Sequence, residues 1–256
     1  MIELINISYS YNDKIVLKDI NLKIDKGERV VLLGSNGCGK TTLFKIIDGL
    51  LFPKEGKYFF NNLLIDKKFF KNDENTKIFR SSVVMLFQSP DVMLFNPTCY
   101  DEIAFGLRQL GLKEEEIKEK VADWLDLMGI KKYENIPPFE LSGGEKQKLA
   151  LASILAIEPS FVLLDEPMAN LDPKSQGEVI DLLYSLPITT FISTHNLSMA
   201  SELGERAVIL SEEHNIIYDG DIGEALKNEE ILIKANLIHS HKHKHKKILH
   251  SHYHKH

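Results

Sequence analysis

The stretch Glu28-Arg29-Val30-Val31-Leu32-Leu33, followed by Gly34-Ser35-Asn36-Gly37-Cys38-Gly39-Lys40-Thr41, decides the fold. The first half is a continuous β-branched and leucine run, which reads as a buried strand. The second half fits the spacing G-x-x-x-x-G-K-[ST]. A helix from about Lys40 to Gly49 follows. Residue types dictate the chemistry. Glycines let the backbone curl so that its N–H groups face phosphate oxygens. The helix start adds its positive dipole end. Lys40 supplies a point charge for terminal phosphates, and Thr41 a hydroxyl for Mg²⁺. Gly34, Ser35, Asn36, Gly37, Cys38, Gly39, Lys40, Thr41 and Thr42 are therefore the candidate nucleotide-binding residues. Cys38 stands near an ammonium and a helix start. Both favour a thiolate, which predicts a reactive thiol that ATP protects; the competing reading is an inert small residue facing the packed side of the loop.

Working outward, Phe161-Val162-Leu163-Leu164-Asp165-Glu166 is an apolar strand ending in two acids. Neighbours on a strand face opposite ways, so the two carboxylates take different tasks. One holds Mg²⁺ and the other polarises water. Ile2 to Ile24 alternates in short runs with a turn at Tyr11-Asn12-Asp13, which predicts antiparallel strands. Further strands are predicted at Phe161–Leu164, Thr189–Ser193 and Ala207–Leu210, with helices over about Lys174–Leu186 and Leu197–Leu203. This alternation means an α/β fold with a mostly parallel sheet covered on both faces. Helical periodicity over Asp101–Leu110 and Lys113–Met128, then a helix capped by Ser142, interrupts the strands. It reads as an inserted helical subdomain over about 91–156, in a domain of 1–237 whose core spans about 1–90 and 157–237.

Composition excludes several classes. At 43% hydrophobic and 27% charged residues, the profile is that of a soluble globular domain. No apolar run is long enough to cross a bilayer, and no charged-then-apolar leader follows Met1. The net charge is −6, and residues 239–256 carry five lysines and no acid, so the rest is more acidic still. Nucleic acid, which needs a basic surface, is not an expected partner. Two cysteines suit a reducing cytosol.

One further motif narrows the class. Leu141-Ser142-Gly143-Gly144-Glu145-Lys146-Gln147 resembles the signature of the ABC ATPases. Physically it is a second anion site: a serine cap, two glycines and a helix N-terminus. Gln88 resembles the Q-loop glutamine, Ala169-Asn170-Leu171-Asp172 the loop that touches a partner subunit, and His195 the switch histidine. Tyr11 resembles the aromatic residue that stacks on adenine, with Tyr9 the competing candidate. The resemblance covers about residues 1–237. It implies a P-loop NTPase core with antiparallel N-terminal strands, in a subunit that pairs head to tail with a second ATPase subunit, as homo- or heterodimer. ATP would lie between the cradle of one subunit and Ser142, Gly143 and Gly144 of the other. Glu166 would act as base, His195 would contact the γ-phosphate, and Thr41, Gln88 and Asp165 would surround Mg²⁺. The pair would sit on the cytoplasmic face of the membrane, peripherally, on an integral transporter subunit.

Ser89-Pro90-Asp91-Val92-Met93-Leu94-Phe95, followed by Asp101-Glu102-Ile103-Ala104-Phe105-Gly106, is similar to the cobalt/nickel and energy-coupling-factor importers. In that group this region grips the membrane subunit. Lys148 stands where arginine is usual after the signature, and Ser35 and Cys38 are less common cradle residues. Eight of ten histidines fall between His239 and His256. Imidazole suits Ni²⁺ and Co²⁺. The segment reads as a disordered tail that binds Ni or Co, with a solubilising tail as the competing reading. The expected function is thus uptake of cobalt or nickel, with vitamin or other small-solute import as the alternative. A non-transport ABC ATPase would need a coiled-coil insertion or a second ATPase domain.

Overall fold

A computed structural model describes residues 1–245 and 248–255, and from residue 239 onward the backbone alone. In chain order, the first elements are β1 (Ile2–Tyr11), β2 (Lys14–Ile24), β3 (Arg29–Leu33), α1 (Lys40–Ile47), β4 (Glu55–Phe60) and β5 (Leu63–Leu64). Then come α2 (Asp73–Ser82), β6 (Val83–Leu86), α3 (Cys99–Leu110), α4 (Glu114–Leu127), α5 (Gly143–Leu155), β7 (Phe161–Asp165) and α6 (Pro173–Ser185). The chain continues through β8 (Thr189–Thr194), α7 (Leu197–Leu203), β9 (Arg206–Leu210), β10 (Ile216–Asp221), α8 (Ile222–Lys227) and α9 (Glu229–Lys234). Backbone strands β11 (Ile238–His245) and β12 (Ile248–Lys255) end it.

The chain divides into two compact units. One comprises 1–70 and 189–256, the other 71–188. The second is wider than the helical insertion expected over about 91–156. It takes in α2, β6, β7 and α6 as well as the three helices.

In the first unit β1 pairs antiparallel with β2 and with β4, and β5 extends the sheet. The alternation read from the sequence is visible at its start: Ile2 and Leu4 are buried while Glu3 is exposed. The second sheet of this unit has β3 parallel to both β8 and β9, with β10 antiparallel at the edge. Val30 to Leu33 are fully buried, as befits a strand flanked on both sides. Helix α1 buries Leu43, Phe44, Ile46 and Ile47, and Phe44 meets Phe191 of β8 at 5.1 Å between ring centroids.

In the second unit β6 and β7 pair in parallel, and α3 packs against α4 and α5. Ile117, Val121 and Leu125 form the buried face of α4, at the spacing expected for a helix. Thr98 caps α3 by accepting from the Asp101 N–H.

In the tail, the backbone of β11 pairs antiparallel with β12. Over 239–245 and 250–255 His alternates with Ser, Lys or Tyr, a period of two, which a strand accommodates. His256, Lys246 and Lys247 lie outside the described residues.

Candidate functional site: a phosphate cradle and an acidic strand end

In the first unit the cradle follows directly from the buried end of β3. A Cβ on Gly39 would stand 2.5 Å from the Val16 carbonyl oxygen, and one on Gly34 2.6 Å from Cys38 Sγ. Both positions therefore exclude any larger residue. Gly39 is also the N-cap of α1, at φ 118, and offers that helix no side-chain cap. The first N–H groups of α1 are thus left for a ligand rather than for a serine or aspartate. Lys40 is buried, with Nζ donating to the Gly34 carbonyl at 2.7 Å and the Ser35 carbonyl at 3.2 Å. Ser35 Oγ is buried without a hydrogen-bond partner. A buried ammonium, an orphaned hydroxyl and a helix start without a side-chain cap all suit an anion.

Cys38 follows the packed, inert reading. Its thiol is 2% exposed and packs inside the loop. Burial pushes its pKa up, and the opposing pull of Lys40 is smaller. The thiolate is disfavoured, because removing a charge from water outweighs one nearby cation here.

Elsewhere in this unit, His195 is exposed just past the end of β8, before Asn196 caps α7. Tyr11 is 44% exposed at the end of β1. Tyr9 is less exposed and meets Tyr11 edge-on, with centroids 5.0 Å apart.

In the second unit β7 ends at Asp165. Glu166 is no further strand residue: it stands in a left-handed turn at φ 51. The turn, not pleat alternation, sets the backbone direction at the second acid. Both acids are buried, at 2% and 7% exposure. A non-glycine residue at such a φ costs about 1–3 kcal/mol and is characteristic of functional sites.

At the start of α5 the signature residues form a reciprocal cap. Ser142 caps α5 and accepts from the Glu145 N–H, while Glu145 Oε2 accepts from the Ser142 N–H at 2.9 Å. Hydrogen bonds from Tyr133 and then Ser142 hold the Glu145 carboxyl below its ordinary pKa. Gly144 is needed for close approach, since a Cβ would meet the Asn170 carbonyl at 3.1 Å. The signature start therefore lies against the Ala169–Asp172 loop. Gln147 ties the two together from beneath: it is fully buried and donates to the Pro167 carbonyl at 2.9 Å. Asp172 caps α6 through the Lys174 and Ser175 N–H groups, and the Ser175 hydroxyl lowers its pKa. Lys148 reaches Glu178 at 3.4 Å.

Gln88 is exposed beyond β6. Past it, Val92 and Phe95 are 70% and 68% exposed, and Phe95 meets Phe105 edge-on at 5.2 Å. Glu102 holds this loop in place. Its buried carboxylate accepts from the Phe95 and Asn96 N–H groups at 2.9 and 2.8 Å. Sequence reasoning gave Glu102 no task. An acid four residues into a helix has no signature of its own, and only the folded loop reveals its partners.

A strand, phosphate cradle and helix, with a buried acidic strand end downstream, define a P-loop NTPase. Within that class the chain belongs to the ABC transporter family, whose model matches residues 17–169. It is 41% identical to the energy-coupling factor transporter ATP-binding protein EcfA of Methanothermobacter thermautotrophicus, covering 93% of this chain and 76% of that one. It is 36% identical to the nickel import ATP-binding protein LarO of Lactiplantibacillus plantarum, covering 93% and 99%. Among solved structures it resembles cbiO1 of Clostridium perfringens, part of the ABC transporter complex cbiONQ. The TM-score is 0.76 at 34% identity, over 92% and 94% of the two chains. A dimeric ATP-binding cassette in a post-hydrolysis state, bound to ADP and Pi, matches with TM-score 0.78 at 29% identity, over 87% and 99%. The fold is therefore that of an ABC ATPase cassette, and the chain is an ATPase. Among the described residues no helix is long and apolar enough to cross a membrane.

Proposed function

We propose that this ATPase powers an importer of a transition-metal ion, cobalt or nickel, as a peripheral subunit on the cytoplasmic face of the membrane. The observation that carries the importer reading is the loop of Val92 and Phe95, exposed yet fixed by the buried Glu102 carboxylate. An apolar surface held rigidly in water suits a permanent partner, here an integral membrane subunit. The metal reading is supported by the LarO relative, whose name is nickel import ATP-binding protein. The second reading is a vitamin or other small-solute importer, and the EcfA relative, an energy-coupling factor transporter ATP-binding protein, carries no metal in its name.

In the proposed cycle the cradle from Gly34 to Thr42 holds the phosphates, with Lys40 turning from loop carbonyls to phosphate oxygens. Tyr11 stacks on adenine. Glu166 takes a proton from water as the water attacks the γ-phosphorus and the bond to the β-phosphate oxygen breaks. His195 holds the γ-phosphate. Thr41, Gln88 and Asp165 are the residues that would hold magnesium, which neutralises developing phosphate charge. Ser142, Gly143 and Gly144 serve the ATP of a second ATPase subunit, and Asp172 lies at that junction. Closure on ATP and opening after hydrolysis drive the membrane partner.

The tail fits the same reading. Its register sets His239 opposite His254, His241 opposite His252 and His243 opposite His250. Directly opposed and alternate residues share one face of an antiparallel pair. Seven histidine positions, His245 included, thus alternate along the two backbone strands, a spacing suited to Ni²⁺ or Co²⁺.

The test is uptake of labelled nickel and cobalt by cells expressing this chain with its membrane subunits. Uptake that requires intact Glu166 supports the proposal. Uptake of a vitamin but of neither metal supports the second reading.

A further inference from the structure

We propose that His214 is a positioning residue for the phosphate cradle: it holds the Cys38 carbonyl outward and so aims the Gly39 N–H at a nucleotide phosphate. This rests on the cradle being the ATP site. His214 lies in the turn between β9 and β10, remote in sequence from the cradle. Its ring Nδ1 is 3.0 Å from the Cys38 carbonyl oxygen. A carbonyl only accepts, so Nδ1 carries the hydrogen.

The consequence follows from peptide geometry. The Cys38 carbonyl and the Gly39 N–H belong to one planar trans unit and point in opposite directions. Fixing the carbonyl towards His214 therefore fixes the N–H on the far side. Gly39 is the cap of α1 and offers it no side-chain cap, so that N–H stands at the head of the helix start that an anion would approach. On the Gly39 side the peptide lacks a Cβ to restrict its rotation, so a hydrogen bond has an orientation to fix.

The turn is built to bear this task. Ser211 N–H donates to the Asn215 carbonyl at 3.0 Å, and His214 N–H to the Ser211 carbonyl at 3.0 Å. Glu213 N–H donates to Ser211 Oγ at 3.1 Å, and the Ser211 hydroxyl bonds the Asn215 side chain. The His214 carbonyl accepts from the Lys18 N–H of β2 at 2.8 Å. The ring is thus anchored on both sides of its own backbone. His214 itself sits at φ 66, a conformation that side chains with a Cβ rarely adopt. The same β2 segment supplies the Val16 carbonyl against which Gly39 packs. Packing seats the cradle on one side, and the imidazole fixes its peptide orientation from another.

Two substitutions separate the hydrogen bond from the backbone strain. His214→Gly removes the donor but suits the positive φ. His214→Asn retains an N–H donor at a similar reach and tolerates the same φ. ATP titration of the full chain should show His214→Gly weakened about fivefold, the weight of one net hydrogen bond. Its kcat at saturating ATP should be unchanged, and His214→Asn should bind as the parent does. Lys40→Ala, run alongside, tests the cradle itself. Unchanged affinity in His214→Gly while Lys40→Ala loses ATP would overturn the inference and leave the cradle standing. Equal losses in the glycine and asparagine variants would overturn it too.

Discussion

Lys40 enters the structure engaged with the carbonyls of its own loop, at 2.7 and 3.2 Å. ATP must offer that ammonium better acceptors, and phosphate oxygens do so because the bond becomes charge-assisted on both sides. Lys40→Ala should therefore raise the ATP dissociation constant at least about tenfold; calorimetric titration with ATP checks this, and unchanged affinity contradicts the cradle reading. The cysteines give a second residue-scale prediction. Burial pushes Cys38 up, and burial together with Glu102 pushes Cys99 up to about 11. Thiolate is the attacking form and grows only as pH rises towards those values. Neither cysteine of the folded protein should react with iodoacetamide at neutral pH, with or without ATP, and both should react once it is unfolded. Mass-spectrometric labelling decides it, and ready labelling of folded Cys38 would favour the thiolate reading instead.

At the scale of elements, α3 shows how much rests on a cap. Thr98 accepts from the Asp101 N–H, and its hydroxyl donates to Asp101 Oδ2 at 2.7 Å. Thr98→Ala should cost about 1 kcal/mol of stability, read by urea unfolding, with ATP affinity intact. The Thr98 hydroxyl, and then Arg108, hold Asp101 below its ordinary pKa. A depressed carboxylate contributes stability that is present above the ordinary carboxylate range and lost as pH falls through it. The gap between parent and variant should therefore narrow in acid. Such elements were readable where periodicity and chemistry agreed. Leu197–Leu203 matches residue for residue, and Ser142 caps α5 as expected. What stayed hidden depended on remote partners. The αL turn at Glu166 left no glycine to mark it. The tasks of Glu102, Gln147 and His214 are set by backbone carbonyls and N–H groups that no residue letter records. The tail's histidine spacing of two suits an extended chain and its spacing of four a helix, so the residue letters alone did not choose between them.

For the molecule as a whole, the tail and the ATPase are separable in the proposed account. Deleting residues 239–256 should leave ATP hydrolysis at the parental rate and abolish Ni²⁺ or Co²⁺ binding to the subunit. Calorimetry with each metal tests this, and equal binding without the tail refutes metal binding by its histidines. The central claim is that ATP, held by a paired subunit, is hydrolysed with Glu166 as base. Glu166→Gln keeps the shape of the side chain but removes its proton acceptor. The most direct measurement is ATP turnover of this variant together with its oligomeric state in MgATP, by light scattering. The account predicts turnover reduced by roughly 100-fold or more, ATP binding retained, and a stable ATP-bound dimer. Turnover at the parental rate would contradict it.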